Sequence, residues 1–264
     1  MVIDFHNHAF PDAIAKRAID GIVKAAGGVH PPCSDGTLAG LIERMDDFGV
    51  DVAVLQPVIT RPSQTESLNL WAKAVESDRI RSFGGVHPDS DDYKRDIDFV
   101  ASLGLPGLKF HCEYQCFFPD EPRMLRIYDY AFEKGLIVLH HAGHDPAFKG
   151  PFHSTPKRFK NVLNAMKGGT LILAHLGGHA QWDDVERELV GENLYLDTSM
   201  GQKFYSPEQF ARIVKAHGAD RILFGSDSPW SRANEEISLI RSAALTDDEK
   251  STILYKNAAK LLNL

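Results

Sequence analysis

The sequence is poor in cysteine, and the few cysteines form no recognisable framework. Cys33, Cys112 and Cys116 are the only three among 264 residues, and an odd, sparse count is not typical of disulfide-rich secreted proteins. Cys112 and Cys116 have a spacing that could bind metal, but no second cysteine pair accompanies them. We interpret all three as reduced thiols and expect a cytoplasmic protein.

Long apolar runs and an excess of basic residues are also lacking. No stretch of about 18 apolar residues occurs, so no membrane span is predicted. The first residues, Met1 to His6, lack the basic and apolar segments of a signal peptide. The formal net charge is −7, which disfavours nucleic-acid binding because phosphate contacts require a basic surface. We expect neither a membrane nor a nucleic acid as partner.

Internal repeats, low-complexity tracts and abrupt changes in composition are absent, which indicates one domain. Hydrophobic residues make up 43% of the chain and charged residues 25%, as in ordinary globular proteins. A chain of 264 residues has the usual length of a single α/β barrel.

The chain alternates short apolar runs with longer stretches of helical period, which is typical of repeated βα units. The first predicted strand leads directly into His6-Asn7-His8 rather than into a glycine-rich turn, so the pattern favours a closed (β/α)₈ TIM barrel over a dinucleotide-binding sheet. We predict strands at 2–5, 52–56, 81–86, 107–110, 136–140, 171–174, 194–197 and 222–225, and helices at 67–76, 93–103, 123–134, 183–190 and 207–217.

Two further segments have predicted places around the barrel. Residues 11–48 form an insertion of helices around a Gly/Pro-rich loop, and we expect it to cap the barrel mouth. Residues 247–264 are predicted to form an amphipathic helix that closes the bottom or the flank of the barrel.

Residues that bind metal follow the strands, at ends that converge on one mouth of a barrel. His6 and His8 are separated by one residue, so along an extended chain both side chains point to the same side. His140 and His141 end the fifth strand, His175 follows the sixth, and Asp227 follows the eighth. Imidazoles and one carboxylate are typical ligands of catalytic zinc and also suit manganese or iron. We predict one divalent ion, with zinc as the first candidate.

The motifs HNH at 6–8, HAG at 141–143, AHLGG at 174–178 and LFGSDSPW at 223–230 resemble the amidohydrolase superfamily. The nearest likeness is the group that includes aminocarboxymuconate-semialdehyde decarboxylase, and it extends from Asp4 to the terminal ILYKNAAKLL. The resemblance implies that His6, His8, His141 and Asp227 bind the ion. It also implies that Asp227 accepts a proton from the attacking water and that His175 stabilises developing charge. His141 is preferred to His140 because it abuts the Ala-Gly turn, as the ligand of the family does.

A substrate pocket is expected around the same strand ends. Lys109 and His111 lie at the end of the fourth strand, where the family often carries Lys-x-His. Some superfamily members bridge two ions with a carbamylated lysine from this strand, so a binuclear site at Lys109 stays an alternative. The remaining residues that we predict to contact substrate lie in loops just past strands: Arg61, Gln115, Lys203 and Trp230.

Each of these residues also has a purely structural interpretation. A single histidine at a strand end commonly serves hydrogen bonding, and Ser-Asp-Ser-Pro at 226–229 is good helix-capping chemistry for Asp227. The agreement of four motifs in barrel order favours a metal site. We expect His30, His144, His153 and His179 to lie on loops without a chemical role.

Three functions are compatible with these features. Our first choice is metal-dependent hydrolysis of an amide, ester or lactone in a small molecule, through water activated by the ion. The alternative is non-oxidative decarboxylation of an aromatic or muconate-like acid. A non-catalytic metal-binding barrel is the third, and a structural zinc would more often have four closed, cysteine-rich ligands. A homodimer through helices at the mouth is an expected assembly.

Overall fold

Eight short parallel strands alternate with helices, and the computed structural model describes all residues from 1 to 264. Every predicted strand is confirmed within a few residues of its expected bounds. The strands are β1 (Ile3–Asn7), β2 (Val52–Leu55), β3 (Ile80–Ser82), β4 (Gly107–Phe110), β5 (Ile137–His140), β6 (Leu171–Leu173), β7 (Tyr195–Asp197) and β8 (Ile222–Leu223).

The strands form a closed ring in sequence order. Strands β1 to β3 pair in one run and β4 to β8 in another. A parallel bridge between Gly84 and Leu108 joins β3 to β4, and a bridge between Asn7 and Ser228 joins β1 to the segment after β8. The predicted (β/α)₈ barrel is therefore confirmed, and all strand ends open on the same mouth.

Two apolar layers follow from the alternation of side chains along the strands. On β5, Ile137 and Leu139 belong to the core inside the barrel, together with Phe5 and Phe83. Val138 packs in the outer layer between the strands and the helices. Because successive side chains on β5 point to opposite faces, the position of a residue on this strand decides whether it faces the inside of the barrel or the helices.

The outer ring consists of amphipathic helices, and the five predicted helices are all present. Ser206 begins one of them as expected, since its side chain accepts a hydrogen bond from the Gln209 N–H and Pro207 takes the first helical position. The helices to this point are α1 (Asp12–Ala25), α2 (Leu38–Phe48), α3 (Thr65–Ala74), α4 (Tyr93–Ser102), α5 (Pro122–Glu133), α6 (Pro156–Ala165), α7 (Trp182–Glu188), α8 (Pro207–His217) and α9 (Ala233–Ser242).

The segment at 11–48 divides into two parts. Helix α1 and the loop after it contribute side chains to the cavity at the mouth. Helix α2 instead packs against α9, in the ring of barrel helices. It begins at Thr37, whose hydroxyl accepts a hydrogen bond from the Gly40 N–H, and it ends at Gly49 in the left-handed conformation.

The carboxyl-terminal helical segment closes the bottom of the barrel. It comprises α10 (Asp247–Ser251), a π-helical stretch (Thr252–Lys256) and α11 (Asn257–Leu262). Ala258 joins the core inside the barrel. The Asn257 side-chain amide donates to the carbonyl oxygen of Ile222, at the start of β8 (2.7 Å). No helix in the structure combines the length and the apolar character needed to cross a membrane.

Candidate metal centre

Three of the four predicted ligands meet at the barrel mouth. The Nε2 atoms of His6 and His8 lie 3.3 Å and 3.0 Å from the same oxygen, Oδ1 of Asp227, and the three ligand atoms are within 4.8 Å of one another. Two imidazole nitrogens and one carboxylate oxygen directed at one point are a donor set that fits a divalent cation.

The backbone explains why residues from the two ends of the chain converge here. β1 and the segment after β8 are neighbours in the closed ring, where the Asp227 N–H donates to the His6 carbonyl (2.8 Å) and the His8 N–H donates to the Ser228 carbonyl (2.6 Å). The helix that follows Asp227 begins only at Ala233. The alternative interpretation of Asp227 as a helix cap is therefore wrong.

A buried carboxylate orients His6. Asp197, at the end of β7, accepts a hydrogen bond from Nδ1 of His6 (2.8 Å), which leaves a lone pair on Nε2 of His6 for a metal. Burial by itself would raise the pKa of Asp197. The adjacent His6 and the hydrogen bonds from His6 and Ser199 outweigh burial and hold this pKa well below its usual range.

His141 lines the same cavity but lies outside the group of three. Its Nδ1 is 3.0 Å from Nε2 of His175, and its buried Nε2 has no hydrogen-bond partner. The preceding His140 faces the other side of the wall, where its ring stacks on Phe110 with 5.2 Å between the ring centres. Of the two histidines, only His141 has a ring that opens on the cavity.

His141 also belongs to a second group, with His111 and Asp145. Nε2 of His111 lies 3.1 Å from Oδ2 of Asp145, so these two side chains already satisfy each other. The rings of His111 and His141 are stacked, 4.1 Å apart and within 15° of parallel. A nitrogen lone pair lies in the plane of its ring, so one ion cannot lie in both planes. We interpret this second group as a hydrogen-bonded pair beside a stacked histidine.

His175 is held on both sides of its ring. Its Nδ1 lies 2.9 Å from the Ser199 hydroxyl, and its Nε2 contacts His141. Its backbone has a positive φ of 58°, and the Trp182 indole N–H donates to its carbonyl oxygen (3.0 Å). Burial lowers the pKa of His175 to about 3, so the imidazole is neutral at physiological pH.

Lys109 places a cation on the floor of the site. Its side chain is only 1% exposed, and its Nζ lies 3.1 Å from Nε2 of His6. No carboxylate lies within ion-pair distance of Nζ. Burial lowers the pKa of Lys109 to about 8, against the attraction of the more distant Asp197 and Asp227.

The ligand group opens into a cavity of about 580 Å³, a size that suits a small molecule. Helix α1 forms one wall through apolar side chains such as Ile14 and Ile22, with Arg17 beside them. A second cavity of about 640 Å³ adjoins the first, and the residues common to the two walls are His30, His144, Asp145, Pro146, His179 and Trp230.

Only some of the residues predicted to contact substrate line the cavity of the ligand group. Lys109, His111 and Trp230 line the cavity of the ligand group. Lys203 lines only the adjoining cavity, where it pairs with Glu235 at 3.6 Å.

Two of the predicted substrate residues do not reach the cavity. Gln115 is buried, and its side-chain amide N–H₂ donates to two loop carbonyl oxygens, those of Ile59 (2.9 Å) and Val86 (3.0 Å). Arg61 is exposed at the start of a short helical turn, and its neighbours Thr60 and Gln64 form the wall instead. Whether each of these side chains reaches the cavity depends on the direction of the turn that follows its strand.

Several residues of the site were not predicted from the sequence. Asp197 ends β7 and Ser199 follows it, whereas Lys203 was the only residue predicted to contact substrate after this strand. A carboxylate at a strand end, two residues before a serine, was the available signal. His30, His144 and His179, to which no chemistry was assigned, line both cavities, as does Asp145.

Solved structures with the same fold are similar to this chain over its whole length. They include the 5-carboxyvanillate decarboxylase LigW from Sphingomonas paucimobilis (15% identity, TM-score 0.76, 100% of this chain and 99% of that one). IDCase from Metarhizium anisopliae is 17% identical (TM-score 0.77, 100% and 97% coverage). A dihydroxybenzoic acid decarboxylase from Polaromonas, solved with manganese and the inhibitor 2-nitroresorcinol, is 16% identical (TM-score 0.75, 100% and 97%).

Sequence comparison identifies the family directly. No curated protein matches the chain. A family model described as Amidohydrolase matches residues 3–264, which is almost the entire sequence. The likeness seen in the strand-end motifs is thereby confirmed, and the chain belongs to the amidohydrolase family.

Proposed function

We propose that the protein is a metal-dependent decarboxylase of a small aromatic or muconate-like carboxylic acid. His6, His8 and Asp227 would hold one divalent ion, zinc or manganese, and His141 is the proposed fourth ligand through its unpartnered Nε2. When bound, such an ion supplies Lewis acidity that polarises an oxygen atom of the substrate.

Lys109 is the observation that carries this proposal. A buried ammonium group is costly unless an anion compensates it. Nζ of Lys109 has only Nε2 of His6 within hydrogen-bond distance, and the single lone pair of that nitrogen would be taken by the ion. A substrate carboxylate at this point would complete an ion pair in the cavity. A neutral amide or lactone would leave the ammonium group without a counter-charge.

The chemistry assigned to the remaining residues follows from this placement. Decarboxylation breaks one carbon–carbon bond, releases CO₂ and leaves an electron pair on carbon that must accept a proton. Lys109 would bind and orient the acid, and its charge would stabilise the electron pair as it develops. Asp227, ionised in the resting site, would take a proton from solvent water and pass it to that carbon. The expected role of His175 in stabilising charge does not fit its neutral ring, because both of its nitrogens are already hydrogen-bonded.

This proposal reverses the order of functions expected from the sequence, where hydrolysis came first. The solved structures of similar fold include several acid decarboxylases, among them one with manganese and an aromatic inhibitor. The non-catalytic alternative is disfavoured because the group of three ligands opens into a cavity rather than being closed.

The test is release of CO₂ from a panel of hydroxybenzoic and muconate-like acids, with protein reconstituted separately with zinc and with manganese. We expect turnover of at least one acid. Lys109→Met should lower kcat/KM by about 100-fold or more, since a buried charge-assisted contact contributes about 3 kcal/mol.

Lys109→Arg is the matched control, because it keeps the charge and should retain more activity than Lys109→Met. A parallel panel of lactones, esters and amides tests hydrolysis. Turnover of a lactone with no CO₂ from any acid would replace our proposal with hydrolysis.

A further inference from the structure

One buried carboxylate at the end of β7 receives hydrogen bonds from both sides of the candidate metal centre. Asp197 lies between His6 and His175 and is completely buried. Oδ2 accepts from Nδ1 of His6 (2.8 Å). Oδ1 accepts from the backbone N–H groups of His175 (3.1 Å) and Ser199 (3.0 Å) and from the Ser199 hydroxyl (2.5 Å).

The direction of the Ser199 hydrogen bond follows from a count of protons. The hydroxyl has one proton, and the ionised carboxylate can only accept. If Ser199 donated elsewhere, its oxygen and that of Asp197 would face each other at 2.5 Å with no proton between them. The proton therefore points at Asp197, where the charge strengthens the bond.

The same count then determines the ring protons of two histidines. Because Ser199 donates to Asp197, its oxygen can only accept at the 2.9 Å contact with His175, so the proton of His175 is on Nδ1. The Ser199 carbonyl oxygen, a weaker acceptor 3.4 Å from the same nitrogen, agrees with this position. Nε2 of His175 then carries a lone pair and accepts from Nδ1 of His141 at 3.0 Å. That leaves the buried, unpartnered Nε2 of His141 with a lone pair.

We infer that Ser199 is a positioning residue that fixes the ring protons of His175 and, through it, of His141. The directed chain runs from His141 to His175 to Ser199 to Asp197. It keeps Nε2 of His141 deprotonated, as a metal ligand must be. This inference rests on the proposed function for its kinetic consequence, whereas the proton positions are a property of the resting protein.

The test compares Ser199→Ala with Ser199→Thr, which keeps the hydroxyl. In metal-free protein labelled with ¹⁵N at histidine, where no ion can fix the tautomer of His141, two-bond ¹H–¹⁵N spectra report which ring nitrogen bears the proton. Signals of His175 are identified by their loss in His175→Gln. We expect a single tautomer of His175, protonated at Nδ1, in the wild type and in Ser199→Thr, and averaged nitrogen shifts in Ser199→Ala.

The kinetic consequence is measured on the acid that the wild type decarboxylates. Ser199→Ala should lower kcat by about 10- to 100-fold, the usual effect of losing a partner of a site residue. KM should be unchanged, since Ser199 does not line the cavity. Zinc affinity should fall, since Nε2 of His141 is no longer held deprotonated. Ser82→Ala is the matched control, because the Ser82 hydroxyl is equally buried but bonds only to the Phe83 carbonyl.

The outcomes separate this inference from the proposed function. An unchanged His175 tautomer in Ser199→Ala, or a Ser199→Thr spectrum like that of Ser199→Ala, would overturn the inference whatever the reaction. If no acid is decarboxylated but the spectra behave as expected, the inference stands and the proposed function fails.

Discussion

His140 and His141 are adjacent in the chain and face opposite sides of the barrel wall. The ring of His140 packs among the core side chains Phe110, Tyr128 and Phe159, between the strands and the helices. The ring of His141 lies in the cavity against His111 and His175. One step along a strand reverses the direction of a side chain, so two neighbours of the same residue type have different environments.

Substitution of each histidine by phenylalanine should separate these environments. In His140→Phe we expect unchanged metal content and a stability change below about 1.5 kcal/mol, since the aromatic volume is kept and a buried Nε2 without a partner is removed. In His141→Phe we expect bound metal and kcat to fall while the fold is kept. Elemental analysis and thermal denaturation measure both variants. Loss of metal in His140→Phe alone would make His140 the ligand.

Asp197 and His6 are the second pair whose contact has a measurable consequence. Asp197→Asn replaces one carboxylate oxygen by an amide N–H₂ group that cannot accept the hydrogen bonds now made there. His6 then loses part of the constraint that turns Nε2 toward Asp227. We expect zinc affinity to fall by about 10- to 100-fold, measured by competition with a chromophoric chelator.

Asp98→Asn is the control for this measurement. Asp98 is an exposed carboxylate that pairs with Lys134 at 2.5 Å, on the helical surface. Its substitution should leave zinc affinity unchanged. Equal affinity in Asp197→Asn and the wild type would show that His6 does not depend on the carboxylate for its orientation.

Much of the fold could be predicted from the sequence because it depends on local periodicity. The eight strands are short apolar runs between polar turns, and the barrel follows from their number and regular spacing. The places of the two helices in the segment at 11–48 were harder to predict, because α1 and α2 are both amphipathic. Which of them joins the ring of helices depends on tertiary packing, and α2 does so through α9.

The candidate site was predictable where a residue directly follows a strand, as His6, His8 and Asp227 do. Arg61 and Gln115 lie further along loops, where the turn direction decides which side chain faces the cavity, and the sequence does not encode that direction in a readable pattern. Asp197 and Ser199 could not be distinguished from ordinary polar residues, because their role depends on hydrogen bonds to His6 and His175 across the mouth.

Gly143 holds the loop that follows β5 against the loop that follows β6. It pairs with His179 in a parallel bridge, its φ is +87°, and a Cβ atom there would overlap the backbone nitrogen of His179. Gly143→Ala should destabilise the protein by more than the roughly 1–2 kcal/mol of left-handed strain alone, and should disturb His141 and His175.

Gly135→Ala isolates the conformational part of this effect. Gly135 also has a positive φ, +73°, but a Cβ atom there would meet no atom within 4 Å. Thermal denaturation of both variants separates strain from steric overlap. A Gly143→Ala protein no less stable than Gly135→Ala would mean that the two loops can move apart without cost.

Glu236 makes the stability of the protein depend on pH. Burial raises the pKa of Glu236 to about 8. Hydrogen bonds from Ser231 and from the backbone N–H groups of Gly201 and Gln202 oppose the rise. The folded state therefore binds this proton more tightly than the unfolded chain does. The contribution of Glu236 to stability is greatest below about pH 4.5 and decreases as pH rises toward 8.

Glu236→Gln should remove this dependence, because glutamine resembles the protonated acid and its carbonyl oxygen can accept the same two backbone N–H bonds. The melting temperatures of the variant and the wild type should differ little at pH 5. The variant should become the more stable protein as pH rises to 8.5. Other titrating groups contribute equally to both proteins, so the difference between the curves isolates Glu236. Parallel curves would mean that the Glu236 carboxyl is already ionised in the folded protein at pH 5.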